Sequence, residues 1–132
     1  MNAHRKALSM MTFENIHAAL AQRLPEVEKE ASHIQACYGD PRVERKLFYF
    51  CAFNQILWNM LECDRPDEEL LFRAFRFMED MAMCPDADVR ELLQVTILEK
   101  LWDETFVLRR AEQRMLPYTK RASDNILGYY YR

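Results

Sequence analysis

Apolar residues recur along this chain at helical spacing, and no stretch alternates long enough to compete as a strand. Phe13, Ile16, Leu20 and Leu24 share one face of a first helix, which Thr12 can cap and Pro25 ends. Pro25 also suits the first turn of a second helix, Glu26 to Tyr38, which Gly39 stops. The third, about Arg42 to Glu62, is the longest. At about 100° per residue its apolar side chains fill nearly the whole circle, and only Glu44, Gln55, Asn59 and Glu62 form a polar stripe. The turn Asp64-Arg65-Pro66-Asp67 opens a fourth helix that runs to about Met83. Its stripe of Glu69, Arg73, Arg76 and Asp80 holds two i,i+4 charge pairs and is expected to face solvent. Asp86 can cap a fifth helix from Ala87 to about Asp103, again apolar nearly all round. Residues from Thr105 to Met115 read as partly helical, and Pro117 begins a last helix to about Tyr130.

This pattern predicts an all-α fold: one domain over residues 12–132, of about five to six helices, behind a loose leader at 1–11. The arrangement is a bundle or a HEAT-like pairing of helices, with the third and fifth helices at its centre. The string Asp86-Ala-Asp-Val-Arg90 resembles the start of the second helix of a HEAT-type repeat, but a solenoid needs about three copies and only one is found.

Composition narrows the functions. Two glycines in 132 residues cannot supply a many-stranded sandwich, a phosphate-cradling loop or a dinucleotide fingerprint. No apolar run reaches the ~18 residues that span a bilayer, and no secretory signal is recognised, so a cytoplasmic protein with no membrane association is expected. The four cysteines, Cys37, Cys51, Cys63 and Cys84, include no CxxC pair and are expected to be reduced and mostly buried. Charge is uneven: residues 1–59 carry +1, residues 60–104 carry −8 and residues 105–132 carry +4.

Sites of chemistry are few. His4, His17 and His33 sit far apart without a metal-ligand spacing, so no metal and no cofactor is expected. There is no nucleophile elbow, and a Cys–His pair would have to be assembled by folding. Arg109, Arg110, Arg114, Lys120 and Arg121, interleaved with Tyr118 and Tyr129 to Tyr131, have the makings of a nucleic-acid surface. The acidic segment beside them favours a tail folded back on the chain instead. Asn54, Glu79 and Glu99 fall on helix faces that should be apolar, and a buried carboxylate needs a partner or a proton. They are expected either to form a hydrogen-bond network that fixes helix packing or to line a pocket.

Several short strings carry a family resemblance: Leu24-Pro25-Glu26, Phe75-Arg-Phe-Met-Glu79, Asp86-Ala-Asp-Val89, Ile97-Leu-Glu99-Lys-Leu101 and Leu116-Pro117-Tyr-Thr119. Together the chain resembles, over about residues 13–128, a group of small bacterial all-helical proteins classed as a domain of unknown function. That group is thought to include immunity proteins of polymorphic toxin systems. The resemblance implies a non-enzymatic interaction protein whose partner is another protein, in its most concrete form a basic toxin. Charge would then place the contact on an acidic face bearing Glu69, Asp80, Asp86 and Glu91. The alternatives are a HEAT-like regulatory or scaffold domain, or a small-ligand domain around Glu79 and Glu99.

Overall fold

The computed structural model describes residues 11–40 and 42–130, the side chains of 38 and 127–130 excepted. These residues form seven helices and no strand. They are α1 (Ile16–Arg23), α2 (Glu26–Tyr38), α3 (Arg45–Glu62), α4 (Glu68–Ala82), α5, α6 (Thr105–Glu112) and α7 (Pro117–Tyr130). Helix α5 is composite. An α-helical start, Ala87–Leu92, runs into a π-helical segment, Leu93–Leu98, and a last turn, Glu99–Leu101.

The helix starts follow from their side chains. Asp67 Oδ1 accepts the backbone N–H groups of Glu69 and Leu70, both at 3.1 Å, and so caps α4. Asp86 caps α5 through the N–H of Asp88 at 3.0 Å. Thr12 and Asn15 bond reciprocally, and this turn delays α1 to Ile16 rather than Phe13. Asp40 holds Arg42 by its N–H and guanidinium, a turn that moves the start of α3 to Arg45. At the end of α2, Gly39 is required by close approach, because a Cβ there would lie 2.5 Å from the carbonyl oxygen of Gln35.

Helix α3 lies at the centre, packed on α1, α2 and α6 and touching α4 and α5. Phe50, Phe53, Leu57 and Leu61 of α3 are buried with Phe77, Met78 and Met81 of α4 and Val89, Leu93, Ile97 and Leu101 of α5. Each such side chain contributes about 1.5–3 kcal/mol when fully removed from water. Helix α7 returns to pack on α4 and on the π-helical segment, and α1 also reaches α4. Contacts therefore close around one core. In a HEAT-like stack each unit would touch only its neighbours.

Met11 is buried, and its carbonyl accepts from the Cys84 thiol at 3.2 Å. Three expectations are corrected here. Cys37, Cys51 and Cys63 are exposed, and Cys84 is the buried thiol. On α3 the exposed stripe does follow Gln55, Asn59 and Glu62, but it continues through Leu47 and Cys51. The third correction concerns α5. Its buried Val89, Leu93, Ile97 and Leu101 recur every fourth residue, which would drift by about 40° per step on a plain α-helix. The wider π-helical turn absorbs that drift, with the Glu99 N–H reaching back five residues to the Gln94 carbonyl. Val95, within this segment, is half exposed.

Candidate functional site

Two adjacent residues near the end of α4 carry buried carboxylates with separate roles. Glu79 is 4% exposed. Its Oε1 accepts the Thr119 N–H at 2.8 Å and the Thr119 hydroxyl at 2.9 Å, and its Oε2 accepts the Tyr118 N–H at 3.0 Å. These N–H groups belong to the first turn of α7, where no intrahelical acceptor exists, so Glu79 caps a helix from outside it. Pro117, which has no N–H to satisfy, occupies the first position of that helix. Close by, Trp102 Nε1 donates to the buried Ser123 hydroxyl at 3.2 Å and ties α5 to α7.

Asp80 is wholly buried. The Arg23 guanidinium lies 2.7 Å from its Oδ2, Arg76 Nε lies 3.8 Å from Oδ1, and Arg23 also sits over the Phe77 ring. This overturns the solvent-facing stripe expected on α4. The corner between α1 and α2 lies over that stripe: Arg73 bonds to Glu69 at 2.7 Å, to both Glu26 oxygens at 2.9 and 2.7 Å, and to the Arg23 carbonyl. Both i,i+4 pairs form, but tertiary packing that a helical wheel cannot register buries Asp80 and half-buries Arg73. Asp80 therefore drops out of the acidic face, and the exposed Glu69 is tied to Arg73. The Arg73 bonds hold the Glu26 carboxyl at about 2, well below the usual carboxylate range.

Asn54 and Glu79 bond to different helices. Asn54 is half-buried and donates through Nδ2 to the Thr96 carbonyl at 2.9 Å, inside the π-helical segment, so it joins α3 to α5. Glu79 serves α7, and Glu99 is half-buried on the last turns of α5. Neither Glu79 nor Glu99 lines the depressions at the start of α4, between α3 and the end of α5, or at the start of α5.

Around the start of α5 the carboxylates are differently placed. Asp86 is half-buried and accepts the Phe13 N–H at 2.9 Å as well as capping α5; these backbone donors hold its carboxyl below the usual range. Asp88 and Glu91 are exposed. They rim a depression of about 400 Å³ whose floor and walls are Phe13, Leu92, Val95 and Thr96. Two cations border the region. Lys46 lies over the Phe13 ring at 3.6 Å and donates to the Phe13 carbonyl, and Arg90 bonds the Cys84 carbonyl. Sequence periodicity offered no sign that Phe13 and Val95 would share a surface, because one is placed by the Asp86 contact and the other by the π-helical turn.

The basic tail folds back on the acidic segment. Arg110 donates to the carbonyls of Leu61 and Cys63, both at 3.0 Å, and so closes the end of α3. Arg114 pairs with Glu68 at 2.7 Å, Lys120 pairs with Asp124 and Glu112, and Arg121 stacks on Tyr118. The side chains of Tyr129 to Tyr131 lie outside the described residues. Among the described residues no three His, Cys, Asp or Glu side chains gather as metal ligands, and no helix is long and apolar enough to cross a membrane. A Cys–His pair does occur, but locally: Cys37 Sγ lies 3.8 Å from His33 Nε2 one turn back on α2.

The molecule is thus an all-helical domain whose buried carboxylates fasten its own helices and which exposes Asp88 and Glu91 at the start of α5. A family model described as a domain of unknown function, DUF7674, matches residues 17–130, and the chain belongs to that family. No curated protein and no solved structure matches it.

Proposed function

We propose that this protein acts by binding another protein, and that the acidic surface at the start of α5 receives a basic segment of that partner. The observation that carries the reading is the depression lined by Phe13, Leu92 and Val95 with Asp88 and Glu91 on its rim. Apolar walls supply contact area, and two exposed carboxylates supply charge complementarity and steer encounter. The neighbouring carboxylates are already engaged: Glu68 by Arg114, Glu69 by Arg73 and Asp80 by Arg23. Asp88 and Glu91 stay exposed, as do Glu62 and Asp103 elsewhere in the acidic segment.

An immunity-type role is the concrete form of this reading. The protein would block a toxin by covering a basic surface, with no reaction of its own, in the cytoplasm. The small-ligand alternative draws no support from Glu79, whose two oxygens are both occupied by α7. The test is co-expression with the product of the adjacent gene. Relief of its toxicity by the wild-type chain, and loss of relief with Asp88→Lys/Glu91→Lys, is the expected result. Equal relief by both would remove this surface from the account, and no relief by either would remove the immunity-type role.

A further inference from the structure

The depression between α3 and the end of α5 measures about 330 Å³ and is lined by Asn54, Gln55, Trp58, Asn59, Lys100 and Asp103. Its polar groups are set apart by what they leave unbonded. Asn54 gives its Nδ2 to the Thr96 carbonyl, but its Oδ1 is buried and accepts no hydrogen bond. Such an acceptor bears its full desolvation cost, which a donor entering the depression would offset. Among the described residues, the side chains of Gln55, Asn59, Lys100 and Asp103 also make no hydrogen bond or ion pair. Arg73, Arg110, Arg114 and Lys120, by contrast, are all engaged within the chain. Thr96 lies in the π-helical segment of α5, an irregularity frequently found at functional sites.

The chemistry of the lining selects the ligand. An apolar molecule would leave the Asn54 oxygen and the neighbouring amides without partners. Lys100 and Asp103 cancel, so the lining carries no net charge, and the exposed Glu62, one turn beyond Asn59, works against an anion. A carboxamide both donates and accepts, as a hydroxyl does, so three of them side by side match a ligand with several hydroxyls. The Trp58 ring offers a flat apolar surface with a polar edge. A sugar ring has the complement of both, with C–H groups across one face and hydroxyls around its rim. We propose that this depression binds a neutral saccharide, its apolar face against Trp58 and its hydroxyls toward Asn54, Asn59 and Asp103. It shares no lining residue with the acidic depression at the start of α5, so the two surfaces act independently.

Nuclear magnetic resonance of the isotope-labelled full chain tests the proposal, with glucose, galactose, mannose, N-acetylglucosamine and maltose each titrated to about 20 mM. Ligands of this size in open sites give dissociation constants near the millimolar range. At least one sugar is expected to shift the Trp58 indole N–H and the side-chain amides of Asn54, Gln55 and Asn59. Asn59→Ala and Asp103→Ala, both at exposed positions, should each weaken that binding at least about threefold. Trp58→Ala should abolish it, and because Trp58 also packs on the core, the two exposed variants carry the test if that chain does not fold. A phosphorylated glucose should bind no more tightly than glucose. N-acetylglycine N-methylamide, which has amide donors and acceptors but no ring, should leave these signals in place. No shift with any of the sugars, or binding indifferent to both exposed variants, overturns the proposal. Tighter binding of the phosphorylated sugar would overturn the neutral class, and equal shifts with the amide would assign the depression to peptide backbone instead.

Discussion

Glu79 on α4 accepts the backbone N–H of Thr119 on α7 at 2.8 Å, across 40 positions of sequence. With the Tyr118 N–H and the Thr119 hydroxyl on the same carboxylate, the chain's last helix is anchored by a side chain of its fourth. Removing a buried, multiply bonded carboxylate leaves the donors of α7 unpaired. Glu79→Ala is therefore expected to lower stability by about 2–4 kcal/mol, with Glu79→Gln costing less because it keeps one accepting oxygen. Urea unfolding measures the loss, and amide exchange should show α7 losing protection before α3.

The buried Asp80 gives an asymmetric prediction. Arg23→Leu leaves that carboxylate with only the more distant Arg76 among its two guanidinium partners, at a cost of about 3–5 kcal/mol. Adding Asp80→Asn removes the stranded charge and should recover most of the loss. If the double variant is as unstable as the single, the pair acts mainly through the packing of Arg23 over Phe77, and denaturant midpoints of the three proteins decide it.

Acid sensitivity should be traceable to Glu26. Its folded pKa, about 2, lies below the usual 4.5, so its bonds to Arg73 add stability in full above 4.5. That contribution is lost as pH falls from 4.5 toward about 2, where the carboxylate takes up a proton in the folded state as well. Glu68 beside Arg114 and Asp86 beside the Phe13 N–H are lowered too and act in the same direction. Arg73→Gln is expected to flatten the acid limb of a plot of urea midpoint against pH. An unchanged slope would assign that limb to other carboxylates.

Much of the fold was legible because it depends on local rules. Pro25, Asp67, Asp86 and Pro117 mark helix starts where the structure has them, and Glu79, expected inward between Phe72 and Phe75, is buried with Phe75 although Phe72 is 70% exposed. What escaped depends on distance or on a break in period. Asp80 shares a wheel direction with the exposed Glu69, yet the end of α1 covers it, and nothing within α4 records where Arg23 will land. The π-helical turn changes the phase of α5 halfway along, and Val95 within it is half exposed. Of the acidic face expected at Glu69, Asp80, Asp86 and Glu91, Asp80 is buried, Glu69 is bonded to Arg73 and Asp86 caps α5, while Glu91 lies beside Phe13 and Val95. The folding back of the basic tail was foreseen from charge alone, and the structure adds its contacts: Arg110 on the end of α3 and Arg114 on Glu68.

The face at the start of α5 is the centre of the functional account, and its two exposed carboxylates can be inverted without touching the core. The direct measurement is the dissociation constant of the purified chain with the product of the adjacent gene, compared with that of Asp88→Lys/Glu91→Lys. The account predicts a loss of at least about a hundredfold on inversion, and wild-type binding that weakens as salt rises, because like charges then face a basic partner and screening acts on exposed pairs. An affinity unchanged by the inversion, at equal salt and with both proteins folded, would contradict it.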